Sequence, residues 1–255
     1  MKIEDKGFII EPKKVTKLDL LIIAVHPDDA ELGCSGTILK SIASGKSVGI
    51  VDLTQGELGT RGTPQTRSEE AAEASRLMGI SVRENLKMRD GFFQNNEENQ
   101  LKIIEVIRKY QPEIIISNAL SDRHPDHGRA STLVNDAVFL SGLRKIETSY
   151  QGNSQNPHRP RLLLQFIQDH YIKPDIVVDI SDFWEQKIKV IQAFKTQFFH
   201  PDYRADEPQT YISRPEFLQV IESRAIEFGK DIQARYAEGF TCRRQLGVDD
   251  VFDLL

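Results

Sequence analysis

The chain has 255 residues, enough for one α/β domain with a core that needs no disulfide to hold it. Its 33 Lys and Arg against 38 Asp and Glu leave it mildly acidic, which argues against a nucleic-acid partner. Two cysteines, Cys34 and Cys242, form no disulfide framework and fit a reducing compartment, and no apolar run reaches the roughly 18 residues of a bilayer span. The charged opening MKIEDKGFIIEPKK is unlike a secretion signal, so the expectation is a cytoplasmic enzyme or binding protein with no membrane partner.

Residues 20–25 are a continuous apolar run with the length and β-branched content of a buried strand. They lead without a spacer into His26, Pro27, Asp28, Asp29 and Glu31. Such a change from hydrophobics to ligand-type side chains marks the carboxyl end of a parallel strand, where open α/β sheets hold their ligands. Residues 33–44 read as a helix stopped by Gly45, and 48–53 as a second buried strand followed by a glycine-rich loop, 54–64. A helix is predicted over 65–78 with Gly79 as its C-cap, then a short strand over 83–88 and a turn at Gly91. Leu101, Ile104 and Ile107 give 96–110 helical spacing, and 114–116 is a third buried run that ends in the polar loop 117–128. A helix over 129–143 leads to an exposed loop, 148–160, rich in Gln, Asn and Pro. Strands over 161–167 and 175–180 precede helices over 183–199 and 215–230, the last with Pro in its first turn. Strands separated by helix-length connections imply right-handed crossovers. The predicted fold is a single α/β domain over 1–255, Rossmann-like, with a mostly parallel, doubly wound sheet flanked by helices.

His26 and Asp29 are close enough for both to reach one ion from a tight strand-to-helix turn. Catalytic zinc takes three nitrogen or oxygen ligands and keeps a position open. The segment Asp122-Arg123-His124-Pro125-Asp126-His127 offers the third, because parallel strands put both loops on one edge of the sheet. An isolated His-Pro-Asp is commonly a plain turn. Two such pieces, each following a buried strand, favour a site.

The pairing of H-P-D-D-A-E at 26–31 with H-P-D-H at 124–127 resembles the LmbE-like or PIG-L family of zinc-dependent N-deacetylases. The resemblance implies a Rossmann-like fold and removal of acetyl groups from N-acetylglucosaminyl compounds. The loop D-L-T-Q-G-E-L-G-T-R-G-T at 52–63 and the segment Y-A-E-G-F at 236–240 resemble the branch acting on the glucosaminyl-malate precursor of bacillithiol. Carried over, it implies His26, Asp29 and His127 as zinc ligands, with iron(II) as the alternative metal. Asp28 would be the general base, His124 the stabiliser of the tetrahedral oxyanion, and Asp126 the residue that orients His124 or tunes its charge. Arg67 and Tyr211, the latter in the loop 207–213, would contact a small-molecule glycoside. Relatives also imply a homo-oligomer, a hexamer among the arrangements.

The chemistry supports these roles independently. Amide hydrolysis needs a nucleophile at neutral pH, a base within reach of it, and a donor or positive charge facing the oxyanion, which His124 supplies when protonated. The plainer reading of Asp126 is a helix-turn carboxylate. Glu31 either supports a ligand from behind or favours a helix's first turn. Arg61 reads equally as a substrate contact or a solvated arginine, and Cys34 as a small buried residue. His158 and His170 read as surface or supporting histidines, and the His-Pro-Asp at 200–202 follows a helix and is not expected to bind metal. Other readings are deacetylation of another N-acetylglucosamine conjugate or a chito-oligosaccharide, a metal-dependent phosphoesterase, and a non-catalytic nucleotide-binding domain. The phosphoesterase lacks ligands for a second metal. The nucleotide domain lacks a phosphate fingerprint: Gly45-Lys46-Ser47 precedes a strand, and Gly56, Gly59 and Gly62 do not form G-x-G-x-x-G.

Overall fold

The computed structural model describes residues 17–200 and 207–254. From β1 (Leu20–Ala24) the chain runs through α1 (Asp29–Ala43), β2 (Val48–Thr54), α2 (Pro64–Met78), β3 (Val82–Met88), α3 (Glu97–Tyr110), β4 (Ile114–Ser117) and α4 (Pro125–Ser141). A small hairpin, β5 (Ser149–Tyr150) with β6 (Asn153–Ser154), lies in the region expected to be only loop. Then follow β7 (Leu162–Phe166), β8 (Ile176–Asp179), α5 (Trp184–Gln192), α6 (Pro215–Gly229) and β9 (Ala237–Thr241).

All five residues of β1 are buried because the strand is covered on both sides. Alternate residues face opposite ways. Leu20, Ile22 and Ala24 enter the core with α1, α2, α5 and α6, whereas Leu21, Ile23 and Val25 enter the core with α3 and α4. The seven-stranded sheet has the order β3-β2-β1-β4-β7-β9-β8, parallel from β3 to β7. The chain winds outward from β1 to β3, returns through α3, and continues on the other side of β1 with β4. The crevice beyond the ends of β1 and β4 is therefore the topological switch point, where such sheets bind ligands.

Four departures from the sequence expectations matter. Helix α1 begins at Asp29 instead of residue 33, and α4 at Pro125 instead of 129, so Asp29, Asp126 and His127 stand on first helical turns rather than in loops. The expected helix over 183–199 ends at Gln192, and the next residues turn so that Phe194 and Phe198 enter the core while Gln197 donates to the Arg61 carbonyl. Finally, 236–240 supplies a strand that was not anticipated. β9 inserts between β7 and β8, antiparallel to both. A buried glutamate and a glycine interrupt its apolar pattern. Gly239 leaves room for the Phe228 ring, which would lie 2.9 Å from a Cβ there.

Candidate metal centre and active site

His26 leaves the end of β1, Asp29 opens α1, and His127 stands on the first turn of α4 beyond β4. The three are buried together. Asp29 lies between the rings, with Oδ2 3.3 Å from His26 Nδ1 and Oδ1 3.3 Å from His127 Nε2. Donors held about 2.0–2.1 Å from a tetrahedral zinc stand roughly 3.3 Å apart, so this spacing suits one ion of that kind. The remote nitrogens are engaged elsewhere. His26 Nε2 is 2.9 Å from Asp90 Oδ1, and His127 Nδ1 is 2.7 Å from Asp122 Oδ2. Each carboxylate takes the hydrogen on the remote nitrogen, so the nitrogen facing Asp29 is the one a metal could use after displacing its proton, the way metal-ligating histidines are commonly held. Asp29 is fixed in turn by the His26 main-chain N–H, by Asn118 at 3.1 Å and by Gln168 at 2.7 Å.

Electrostatics point the same way. Burial disfavours charge on His26 and His127, but the Asp29 carboxylate and the flanking hydrogen bonds overcome it and raise the two pKa values to about 9 and about 10. Burial would also raise Asp29, yet the two rings hold its carboxyl well below the usual range. Without a metal the cluster gathers protons around Asp29; it is built for positive charge. Among the described residues, His124 also brings a ring nitrogen within 4.8 Å of the His26 and His127 donors. Asp29 reaches each of the two rings at 3.3 Å, through a different oxygen for each.

His124 stacks on His127 with ring centres 5.2 Å apart. Burial and the adjacent rings lower its pKa from the ordinary histidine value, which favours the neutral ring. The Asp126 main-chain N–H donates to His124 Nδ1 at 3.3 Å, which places the ring hydrogen on Nε2. The Asp126 carboxylate does not orient that ring by a hydrogen bond. Its oxygens accept from the Gly91 N–H and pair with Arg129, bracing the turn that carries Asp90.

Asp28 is buried beside the cluster at φ 141°, a backbone region that non-glycine residues seldom adopt. Burial raises its carboxyl to about 7, with Asp29 and Glu31 adding to the rise and Arg67 opposing it. Arg67 is itself buried, 2.9 Å from Asp28 Oδ2 and 2.6 Å from the Pro27 carbonyl. Gly56 makes room for it, since a Cβ there would lie 2.1 Å from Arg67 Nη1. Glu31 stands in the first turn of α1, one of its two expected places, and its carboxylate joins a buried ionic group with Arg83 and Asp52. Tyr211 is half exposed at the rim, 3.3 Å from Asp169. Arg61 is buried and bonds Glu207 at 3.3 Å. His158 donates from Nε2 to the Pro112 carbonyl, whereas the His170 main-chain N–H supports Asp122. Of the 200–202 triplet, residues 201 and 202 lie outside the described residues.

A cavity of about 430 Å³ opens over this cluster and is lined by His26, Asp28, Asp29, His124, His127 and Arg67. Tyr211 and the apolar residues Ile221 and Phe228 also line it. Asp90 was not foreseen because Asp-Gly reads as a turn; its position just past the end of β3, on the ligand-bearing edge, is the signal that could have found it. Changing Asp90 or Asp122 to Asn should weaken zinc binding about 10- to 100-fold, measured by chelator competition. Unaltered affinity in both variants would show that these carboxylates do not hold the ligands.

These features define a mixed α/β protein with a buried histidine–carboxylate cluster that could hold a metal ion at its switch point. The family model for PIG-L, GlcNAc-PI de-N-acetylase, matches residues 21–138. Diacetylchitobiose deacetylase of Thermococcus kodakarensis is 31% identical over 231 residues, covering 86% of this chain and 81% of that one. The chain belongs to the PIG-L family. The crystal structure of the conserved protein TT1542 from Thermus thermophilus superposes with a TM-score of 0.79 at 36% identity, over 91% of this chain and 98% of that one. A protein of Bacillus anthracis named as a probable N-acetyl-α-D-glucosaminyl L-malate deacetylase 2 is more distant, at 24% over 70% of this chain and 81% of its own. A 4-oxalmesaconate hydratase of Pseudomonas putida is also 24% identical, over 86% of each chain. Likeness at that level therefore does not fix the reaction, and the site has to decide it.

Proposed function

We propose that this chain is a zinc-dependent N-deacetylase whose substrate is an N-acetylglucosamine-type glycoside, a chito-oligosaccharide ahead of the malate conjugate. The observation that carries the reading is the inward-facing donor set of His26, Asp29 and His127 with a buried carboxylate, Asp28, tuned near neutrality beside it. The order of substrates follows the relatives: the chitobiose enzyme is similar over most of both chains, and the malate enzyme less so. The doubly wound, Rossmann-like wrapping supports the reading by bringing two loops from different parts of the chain to one crevice.

Bound zinc would supply a Lewis acid and a nucleophile at neutral pH. The protein's own groups divide the remaining work. Asp28 takes the proton from the attacking water and returns it to the leaving amine. Arg67 holds Asp28 in place and opposes the rise of its carboxyl, a positioning role beside the substrate contact expected of it, since Arg67 also lines the cavity. His124, neutral with its hydrogen on Nε2, donates to the oxyanion without carrying a charge that Asp29 and the metal would have to accommodate. Tyr211 meets the substrate at the rim, and Asp126 keeps the Gly91 turn, and with it Asp90, behind His26.

Zinc-loaded protein should release acetate from diacetylchitobiose, more slowly from free N-acetylglucosamine, with the glucosaminyl-malate conjugate measured beside them. Acetate and free amine in equal amounts identify the reaction. Fastest turnover of the malate conjugate would restore that branch. No acetate from any of the three at full metal occupancy would overturn the deacetylase reading and leave the hydratase-like chemistry to be tried.

A further inference from the structure

Helix α1 is broken. Cys34, at φ −151° and ψ 19°, departs from helical geometry and separates a short first turn, which carries Asp29, from the rest of the helix. An unbroken helix would join the Gly36 N–H to the Leu32 carbonyl. In its place stand two buried charged side chains. Lys187 Nζ donates to the Leu32 carbonyl at 2.8 Å and to the Glu31 carbonyl at 3.3 Å. The same nitrogen is 2.7 Å from Glu238 Oε1, which accepts the Gly36 N–H at 2.9 Å, while Oε2 accepts the Thr37 N–H at 2.7 Å. The ion pair is thus spliced into the helix ladder, its cation on the freed carbonyls and its anion on the freed N–H groups. Kinks commonly have such an inserted side chain as their cause.

A buried ion pair is a poor way to add stability, because taking both charges out of water offsets much of their attraction. Here it does something an apolar plug could not: it satisfies four main-chain groups while holding the two helix segments at a fixed angle. Lys187 comes from α5 and Glu238 from β9, and both line the active-site cavity. Gly33 and Gly36 bring the same stretch against the sheet side, since Cβ atoms there would lie 2.3 Å from the Phe166 ring and 2.7 Å from the Ile180 side chain. The first turn of α1 therefore has little freedom except about the break.

We infer that Lys187 and Glu238 are positioning residues of this active site, a buried pair that sets the direction of the Asp28–Asp29 turn towards His26 and His127. This rests on the reading of Asp29 as a metal ligand and Asp28 as the base. The test compares wild type with Lys187→Met, Glu238→Gln, the double variant, and Glu238→Asp, whose shorter side chain cannot serve both N–H groups. The double variant leaves no buried charge unpaired and serves as the folding control. It should keep native far-UV circular dichroism, yet bind zinc at least 10-fold more weakly by chelator competition. Its kcat on the best N-acetylated substrate should drop at least 10-fold with KM within 3-fold. Glu238→Asp should fall in the same direction. A folded double variant with wild-type zinc affinity and kcat overturns the inference. If the double variant does not fold, Glu238→Asp and Lys187→Arg, which keep both charges and alter the reach of one, become decisive: a folded variant with weakened zinc affinity and kcat supports positioning, and folded variants with wild-type values of both oppose it. Zinc affinity is read without substrate, so failure of the deacetylase reading alone would leave this result standing.

Discussion

Asp28→Asn should retain one zinc and lose about 10²- to 10⁴-fold in kcat, the range typical of a removed general base. The substitution keeps the volume and the contact with Arg67 while removing the group that accepts a proton. Wild-type activity should also fall as pH drops through the Asp28 pKa, because the carboxylate, not the acid, is the working form. In the metal-free molecule burial sets that value near 7 against the pull of Arg67. A cation bound beside it adds to that pull and shifts the limb to lower pH. Arg67→Met removes the opposing positive charge, so its acid limb should move to higher pH, and Asp28→Asn should have no such limb at all. Turnover within 3-fold of wild type in Asp28→Asn, or loss of its zinc, would sink the distinction between base and ligand. The unusual φ of Asp28 accords with a functional residue: such conformations cost on the order of 1–3 kcal/mol and persist where the surroundings impose them.

The metal-type ligands were legible because they sit where buried periodicity stops. A run that is apolar at every position predicts a strand covered on both faces, and the residue after it must emerge at the sheet edge. His26 and Asp29 follow from that directly, and His127 follows from the parallel relation of β4 to β1. The start of α4 was less visible: His124 is an uncommon cap, and the Pro125 signal, proline at the first helical position, was passed over in favour of a longer loop. What could not be read were roles created by distant partners. Arg67 was expected only as a substrate contact, because nothing local shows that Gly56 and Pro27 close around it. Glu238 looked like part of a motif without a structure, since a glutamate in a five-residue strand becomes tolerable only once Lys187 arrives from another helix. Glu31 stands in the helix turn expected for it, but its ion pair was invisible because Arg83 lies 52 residues away and reaches it only across the folded core.

Replacement of His127 by Ala should abolish tight zinc binding, and the wild-type affinity should itself climb with pH. Asp29 is the reason for both. Against the effect of burial, its charge holds protons on His26 and His127 up to about pH 9 and 10, well above the ordinary histidine value of 6.5. A metal entering at pH 7.5 must displace them, so close to two protons should be released per zinc, and the logarithm of the affinity should rise with a slope approaching 2. Calorimetry in buffers of different ionisation enthalpy counts these protons directly. His127→Ala should release about one and bind far more weakly. The stability of the metal-free protein should run in the opposite sense. The folded pKa values are raised, so the two imidazolium groups contribute fully below about pH 6.5 and progressively less as pH rises through 9 to 10. Chelator-treated protein should therefore lose thermal stability on the alkaline side, and saturating zinc should restore it there more than at pH 6. Proton release near zero, or an alkaline loss that zinc does not reverse, would mean that the ion and the protons do not compete for these nitrogens and that the metal centre lies elsewhere.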